Sequence, residues 1–378
     1  MGMESDVMEF FINDVAVKRD SGGVYTVLES VYKSASANNG ADSYTFLLGD
    51  VAFNDNHNVK VIKNVAMQKS YLRRIFFDWF SGAAIISKSK PDVYISMQNT
   101  AQIGLKKIPQ FTYLHQPLPF QRTKKFSIFK KKERKMAFYQ YVVGALIKGS
   151  LKFSNTKVIV QSQWLKNELV VRGLAKPNDI FVSFPKVKKI SQIYQEQIVE
   201  TEKVVFFFPS TAMVYKNHKV ILEALSLLPK DIKRKIQIIF TLTESELINL
   251  TEIKSIPEEI VLTGRVNKQE VAEILSRSIL IFPSYIETFG LPILEAKQIE
   301  RPLIVADVPV LRESVSDYED VQYFNPFDSR HLANIISDFV KNRTITRSVG
   351  FDEESGINTK LDNLLTLVKG EMSRHAKN

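Results

Sequence analysis

Short apolar runs alternate with helix-length amphipathic stretches along nearly the whole chain, and few folds accept that rhythm. In the first half the strand candidates are 7–12, 44–48, 59–62, 92–96, 110–114, 158–160 and 180–184, with helices expected over 23–37, 69–87 and 163–172. In the second half the strands fall at 204–208, 236–241, 260–262, 279–282, 303–305 and 322–324, with helices at 217–228, 268–276, 291–299 and 329–340. Strand and helix in strict alternation predict parallel sheets with helices on both faces. A single core rarely grows beyond roughly 250–300 residues, so 378 residues predict two such sheets. The polar stretch 185–201 lies between two apolar runs and marks the expected boundary, giving domains over 1–189 and 190–354 with a final helix, 355–376, able to pack back onto the first.

Charge divides the chain at the same place. Residues 1–190 hold 29 Lys and Arg against 14 Asp and Glu, whereas 191–378 hold 22 against 27. A basic half joined to a mildly acidic one predicts different partners for each, the basic half facing something anionic. The absence of cysteine rules out a disulfide framework, a thiolate zinc site and a cysteine nucleophile. The opening MGMESDVMEFFINDV is acidic and does not read as a signal peptide. The longest apolar run, 136–147, is about half of a membrane span.

The most informative stretch is ILIFPSYIETFGLPILEAKQIERPLIVAD, residues 279–307. It reads as strand, loop, helix, turn and strand, and its loop follows the carboxyl end of a parallel strand, where open α/β sheets bind ligands. Gly290 permits close backbone approach. Pro292 suits a first helical turn, and the helix N-terminus after Gly290 suits a phosphate. Glu287 lies in the loop and Glu295 in the expected first turn of the helix. One carboxylate can hold a sugar and the other a ribose; equally, Glu295 can complement the helix dipole and Glu287 can be a solvated loop residue.

The pattern E-T-F-G-L-P-x-x-E-A, with FPS before it and P-L-I-V-A-D after it, resembles the E-x7-E motif of family-4 retaining glycosyltransferases. The resemblance implies a GT-B fold, two Rossmann-like parallel-sheet domains facing a central cleft, with the nucleotide-sugar donor on the C-terminal one. It implies that Glu287 contacts the donor sugar and Glu295 the nucleotide ribose, while the loop backbone at Thr288, Phe289 and Gly290 contacts sugar and phosphates.

Lys216, in FFFPSTAMVYKNHKVILEAL, sits at a strand-to-helix junction and is a sensible counter-ion for a leaving diphosphate. The family has a lysine there. Many members also carry an upstream arginine, but this chain has Ser210 and Thr211, so phosphate binding falls to Lys216, Ser210 and backbone amides. Gly264 and Arg265 in LTGRV match the family's loop beside the nucleobase. In the first half, DSGGV places Gly22 and Gly23 after the first strand, resembling the family's glycine loop; the full G-x-G-x-x-G pattern of nicotinamide enzymes is absent. His115, in YLHQPLP, stands at a strand end where the family has a histidine that orients the donor sugar. Glu287, His115 and Lys216 are therefore the expected catalytic residues. No Asp-x-Asp triplet occurs, so no metal and no cofactor are expected, the nucleotide sugar being the donor substrate. The resemblance implies front-face departure of the nucleotide, with the leaving phosphate taking the acceptor's proton.

RTKKFSIFKKKERK, residues 122–135, holds eight basic residues, one acid and interleaved Phe126, Ile128 and Phe129. Lys124, Lys125, Lys130, Lys131, Lys132 and Lys135 read as a membrane-surface patch beside an apolar helix. A solvated loop is the plainer reading, and nucleic acid a third, without an accompanying motif. The whole predicts a retaining, metal-independent hexosyltransferase. It would use a UDP- or GDP-sugar and a saccharide acceptor, polyprenyl-diphosphate-linked, in O-antigen or capsule-type surface polysaccharide assembly. It would be cytoplasmic, peripheral on the inner face of the plasma membrane, with no nucleic-acid partner. The competing expectations are a non-catalytic membrane or nucleic-acid-binding protein and a sugar-nucleotide epimerase of the same fold.

Overall fold

The computed structural model describes residues 7–19, 23–38, 40–185, 203–342 and 364–375. They form two compact units. The first comprises residues 7–120, Lys135–Phe184 and the helix Leu364–His375. The second comprises Gln121–Arg134 and residues 185–342. The expected boundary at 189/190 and the start of the expected final helix, 355–363, lie outside the described residues, as does Gly22. Residues 121–134, expected in the first domain, group with the second.

The first unit is built on a seven-stranded parallel sheet: β1 (Glu9–Asp14), β2 (Ser43–Leu48), β3 (Val59–Lys63), β4 (Val93–Ser96), β5 (Gln110–Leu114), β6 (Thr156–Val160) and β7 (Ile180–Val182). Their order is β3-β2-β1-β4-β5-β6-β7. The second unit has six: β8 (Val204–Phe208), β9 (Ile236–Phe240), β10 (Ile260–Leu262), β11 (Ile279–Phe282), β12 (Leu303–Ala306) and β13 (Val321–Phe324), ordered β10-β9-β8-β11-β12-β13. In both, the strand order reverses beside the first strand, the doubly wound arrangement whose ligand crevice opens at the reversal. Both faces of the central strands are covered: β4, β5, β8 and β11 are buried at every residue, and their few polar side chains, Ser96, Gln110 and Thr112, are buried with them.

In the first unit the register sorts side chains by face. Phe10, Ile12, Ile95, Phe111 and Tyr113 pack on one side with the helix Gly23–Ser36 and with Leu364, Leu365 and Val368 of the final helix. Phe11 and Tyr94, and farther along Leu114, Val158 and Val160, point to the other. That second face is covered by two long helical segments. The first, expected as one helix over 69–87, is broken: Val65–Lys69 ends at Ser70, whose hydroxyl caps a new helix beginning at Tyr71. This second helix widens to a π turn at Phe77–Ser81 before continuing as Gly82–Lys88. The cause is Gln102, whose side-chain amide donates to the carbonyls of Phe77 (3.1 Å) and Asp78 (2.9 Å). A Cβ on Gly82 would lie 2.3 Å from Gln102 Oε1, so only glycine leaves room. The other segment runs Arg134–Phe138, a π turn at Tyr139–Val143 and Gly144–Phe153.

Candidate functional site

At the reversal of the second sheet, β8 and β11 lie side by side. The loops leaving them are stitched together. The Tyr285 amide donates to the Tyr215 carbonyl (3.1 Å), and the Ser284 hydroxyl donates to the same oxygen (3.3 Å). Asn217 takes the left-handed conformation, φ 64°, and its amide donates to the carbonyls of Pro283 (3.3 Å) and Pro326 (2.7 Å). This lacing puts Lys216 against Glu287: Nζ donates to Oε1 at 2.5 Å, and both side chains are largely sheltered. A sheltered cation needs a partner, because leaving it unpaired costs several kcal/mol. Glu287 supplies that partner.

Ser210 ends the β8 side of the site. Its backbone N–H donates to Thr241 Oγ1 (2.9 Å), Thr241 Oγ1 donates back to its carbonyl (3.0 Å), and its hydroxyl pairs with His218 Nε2 (2.9 Å). His218 is fully buried among Phe208 (ring centroids 4.7 Å) and Phe240 (5.1 Å, edge-on). Burial, helped by the charge of Lys216, lowers its pKa to about 3, so it is a neutral strut for Ser210.

Gly290 has φ 102°, and a Cβ there would come within 3.2 Å of Leu311 and 3.3 Å of Ile293. Glycine is therefore required where the loop enters the helix Leu291–Gln298. Thr288 is half-buried; Phe289 is buried, and its carbonyl accepts from the Ser314 hydroxyl. Any contact of Phe289 with a ligand is thus through backbone. Glu295 is not in the first turn, as expected, but at the fifth position of this helix, where the second turn begins. That places it past the reach of the N-terminal dipole. Burial raises its pKa to about 7, against a smaller lowering by Lys268. Lys268 opens the helix Lys268–Ser276 just past Gly264 and Arg265, so Glu295 and the β10 loop are brought to the same end of the sheet. Gly264 sits at φ 68° with open space around it, and Arg265 is exposed.

In the first unit His115 follows β5. Its backbone N–H donates to Asn99 Oδ1 (2.8 Å), and the Asn99 amide meets Nε2 at 3.2 Å. Nδ1 has no hydrogen-bond partner among the described residues, and burial lowers the ring's pKa to about 4. Gly23 begins the first helix. Asn99, Thr241, His218, Lys268 and Ser314 escaped the sequence reading.

The basic segment is an ordered loop. Lys124 pairs with Glu133 (3.3 Å) and lies 5.9 Å over the Tyr285 ring; Lys132 pairs with Glu252 (2.8 Å); Phe126 is buried. Burial would raise the Glu133 carboxyl, but the Ser127 N–H and Lys124 hold it below its ordinary value. Lys130 is a distant partner of Glu133 at 3.9 Å, Lys125 and Lys131 are exposed, and Lys135 belongs to the helix that follows.

The second unit is thus a doubly wound domain with a sheltered lysine–carboxylate pair, a glycine-led helix N-terminus and a second, half-buried glutamate at its switch point. Residues 189–352, most of the second unit, match the family model described as glycosyl transferases group 1. Solved structures share the fold over nearly the full length. The lipopolysaccharide outer core galactosyltransferase WaaB matches with a TM-score of 0.63 at 15% identity, covering 98% of this chain and 100% of its own. Alr3699/HepE of Anabaena, in complex with UDP-glucose, matches with 0.60 at 16%, covering 98% and 99%. WaaG, a glycosyltransferase involved in lipopolysaccharide biosynthesis, matches with 0.63 at 11%, covering 97% and 94%. No curated protein matches the chain by sequence.

Proposed function

We propose that this protein is a glycosyltransferase that moves a hexosyl group from a UDP- or GDP-sugar to a saccharide acceptor, polyprenyl-diphosphate-linked, in surface polysaccharide assembly on the cytoplasmic side of a membrane. The observation that carries the donor half is the Lys216–Glu287 pair at the β8/β11 switch point. In this reading the diphosphate takes over Lys216, which frees Glu287 to accept hydroxyl hydrogen bonds from the sugar. Lys216 then offsets the charge that develops on the departing nucleotide. Glu295 accepts the ribose hydroxyls, and Gly264 and Arg265 border the base. Ser210 and the backbone at Thr288–Gly290 complete the phosphate and sugar contacts. His115, whose Nδ1 has no hydrogen-bond partner among the described residues, is the first unit's candidate sugar contact, and Gly22 and Gly23 are the counterpart of the family's glycine loop by sequence pattern alone. The acceptor hydroxyl attacks from the face the nucleotide leaves, passing its proton to the leaving phosphate. UDP is the first base to try, because Alr3699/HepE carries UDP-glucose on the same fold.

The test is a thermal-shift panel of UDP, GDP and ADP and their sugars, followed by acceptor-free hydrolysis of the sugar that binds. Stabilisation by one nucleotide, lost in Lys216→Ala, is the expected result. A flat panel with no hydrolysis would remove the donor assignment.

A further inference from the structure

The apolar side chains left uncovered on the first unit are not scattered. Leu72, Phe76 and Phe80 recur every fourth residue along one helical segment and are 78%, 59% and 70% exposed. Phe138, Tyr141, Val142 and Phe153 are exposed along the other. The two segments lie side by side on the same sheet face. The register places Tyr94, Thr112, Leu114, Val158 and Val160 on one face; Phe77 and Ile86 of the first segment pack there, and so do Val143, Ile147 and Leu151 of the second. They also touch each other. Tyr71 packs in the same cluster as Tyr139, and a Cβ on Gly149 would meet Trp79 at 3.1 Å. Because both segments are buried on their sheet-facing sides, their uncovered residues form one ridge pointing away from the sheet.

Charge says what the ridge meets. Across 69–90 and 134–153 the single acid is Asp78, which is buried and accepts from the Thr100 hydroxyl at 2.6 Å. Exposed Lys69, Arg73, Lys88, Lys135 and Lys152 flank the aromatics. An apolar ridge rimmed only by cations suits an anionic lipid surface, with rings in the acyl boundary and lysines at the headgroups. No helix among the described residues is long and apolar enough to cross a membrane. The basic loop is a poorer candidate, since Lys124 and Lys132 are committed to Glu133 and Glu252.

We propose that the ridge formed by residues 72–80 and 138–153 of the first unit, rather than the basic loop 122–132, is the surface that docks this enzyme on an anionic bilayer. The proposal rests on the reading that the acceptor is lipid-linked. Vesicle co-sedimentation with phosphatidylcholine and phosphatidylglycerol mixtures tests it on three full-length proteins. Wild type should pellet at low salt and keep part of its binding at high salt, because inserted rings are not screened. Leu72→Ser with Phe76→Ser and Phe80→Ser should partition about 100-fold less, the scale of withdrawing three large apolar side chains from lipid. Lys125→Ser with Lys130→Ser and Lys131→Ser should stay within about twofold of wild type, since those lysines are not at the lipid in this arrangement. The chain lacks cysteine, so Phe80→Cys carries a single environment-sensitive label, and its emission should shift to the blue on anionic vesicles. Ridge-variant pelleting equal to wild type would overturn the proposal, as would loss only in the lysine variant. A concentration-dependent dimer in vesicle-free sedimentation, abolished by the triple change, would also overturn it by assigning the ridge to a second copy. Acceptor-free nucleotide-sugar hydrolysis, unchanged in all variants, separates failure of docking from failure of the donor assignment.

Discussion

At the carboxyl edge of the first sheet the buried polar groups are uncharged or pushed toward their neutral forms. His115 is held deprotonated, burial raises the Asp14 carboxyl, and Asp14 Oδ2, His115 Nδ1 and both polar atoms of the Gln98 side chain lack partners among the described residues. At the same edge of the second sheet a lysine and a glutamate meet at 2.5 Å. The strand order beneath is the same. One topology therefore presents neutral donors and acceptors in one unit and a full charge pair in the other. The difference is made by the residues at and just beyond the strand ends.

The sharpest way to break this contrast is to remove one group from each edge. Lys216→Ala should lower turnover about 10²–10³-fold, the cost of losing a charge partner for the leaving group. His115→Ala should lower it by about tenfold, as for a lost neutral hydrogen bond at an organised site. Equal losses in steady-state kinetics would erase the distinction.

Stability against pH gives the next effect. Burial raises Asp78 to about 7, although Thr100 and Arg74 pull it down. For an acid with a raised folded pKa the folded state binds more protons than the unfolded one between roughly pH 4 and 7. Its ionisation therefore costs nothing at pH 4 and the full amount above pH 7, on the order of 2–4 kcal/mol. Denaturant melts should show wild type weakening from pH 5 to 8 more than Asp78→Asn, while donor hydrolysis stays unaltered. A parallel decline in both proteins would show that Asp78 carries none of it.

Glu295 titrates in the same range, raised to about 7, but at the second edge. Below pH 7 it is largely protonated and accepts hydroxyl hydrogen bonds poorly; above, it is a carboxylate. Nucleotide affinity should rise several-fold between pH 6 and 8 in calorimetry, and Glu295→Gln should flatten the rise and bind about tenfold more weakly at pH 8. A pH-independent wild type would remove the ribose role. The smallest expected effect is at Ser210. Its loss to alanine removes one neutral hydrogen bond, about 1 kcal/mol, and should raise the donor KM several-fold with kcat intact.

The strands were legible because buried parallel strands are continuous apolar runs, and each of the thirteen lies within a few residues of its expected place. The places of Glu287 and Lys216 after β11 and β8 were legible from the strand and helix pattern around them. What the sequence could not show was contact. Nothing in 69–87 announces that Gln102, far along the chain, will open a π turn at Phe77, or that Ser70 will cap a fresh helix. The helix Glu244–Thr251 was missed although Thr243 and Glu246 form a capping box, because its few apolar residues give a weak period. The lysines of 122–135 looked alike in sequence; only their distances to Glu133 and Glu252 separate the engaged from the exposed.

The helix Leu364–His375 inserts Val368, fully buried, into the core of the first unit and is tied there by Lys369 to Asp42 and by Lys157 to Glu371 at 3.2 Å. On the ribosome this has an order-of-assembly consequence. The second unit can finish while the first still lacks a piece of its interior, because residues 364–375 are synthesised after both sheets. Until then the first unit waits with apolar surface open around Phe10 and Tyr44, so a chain ended just before Leu364 would carry both sheets but leave the first unit's core unfinished.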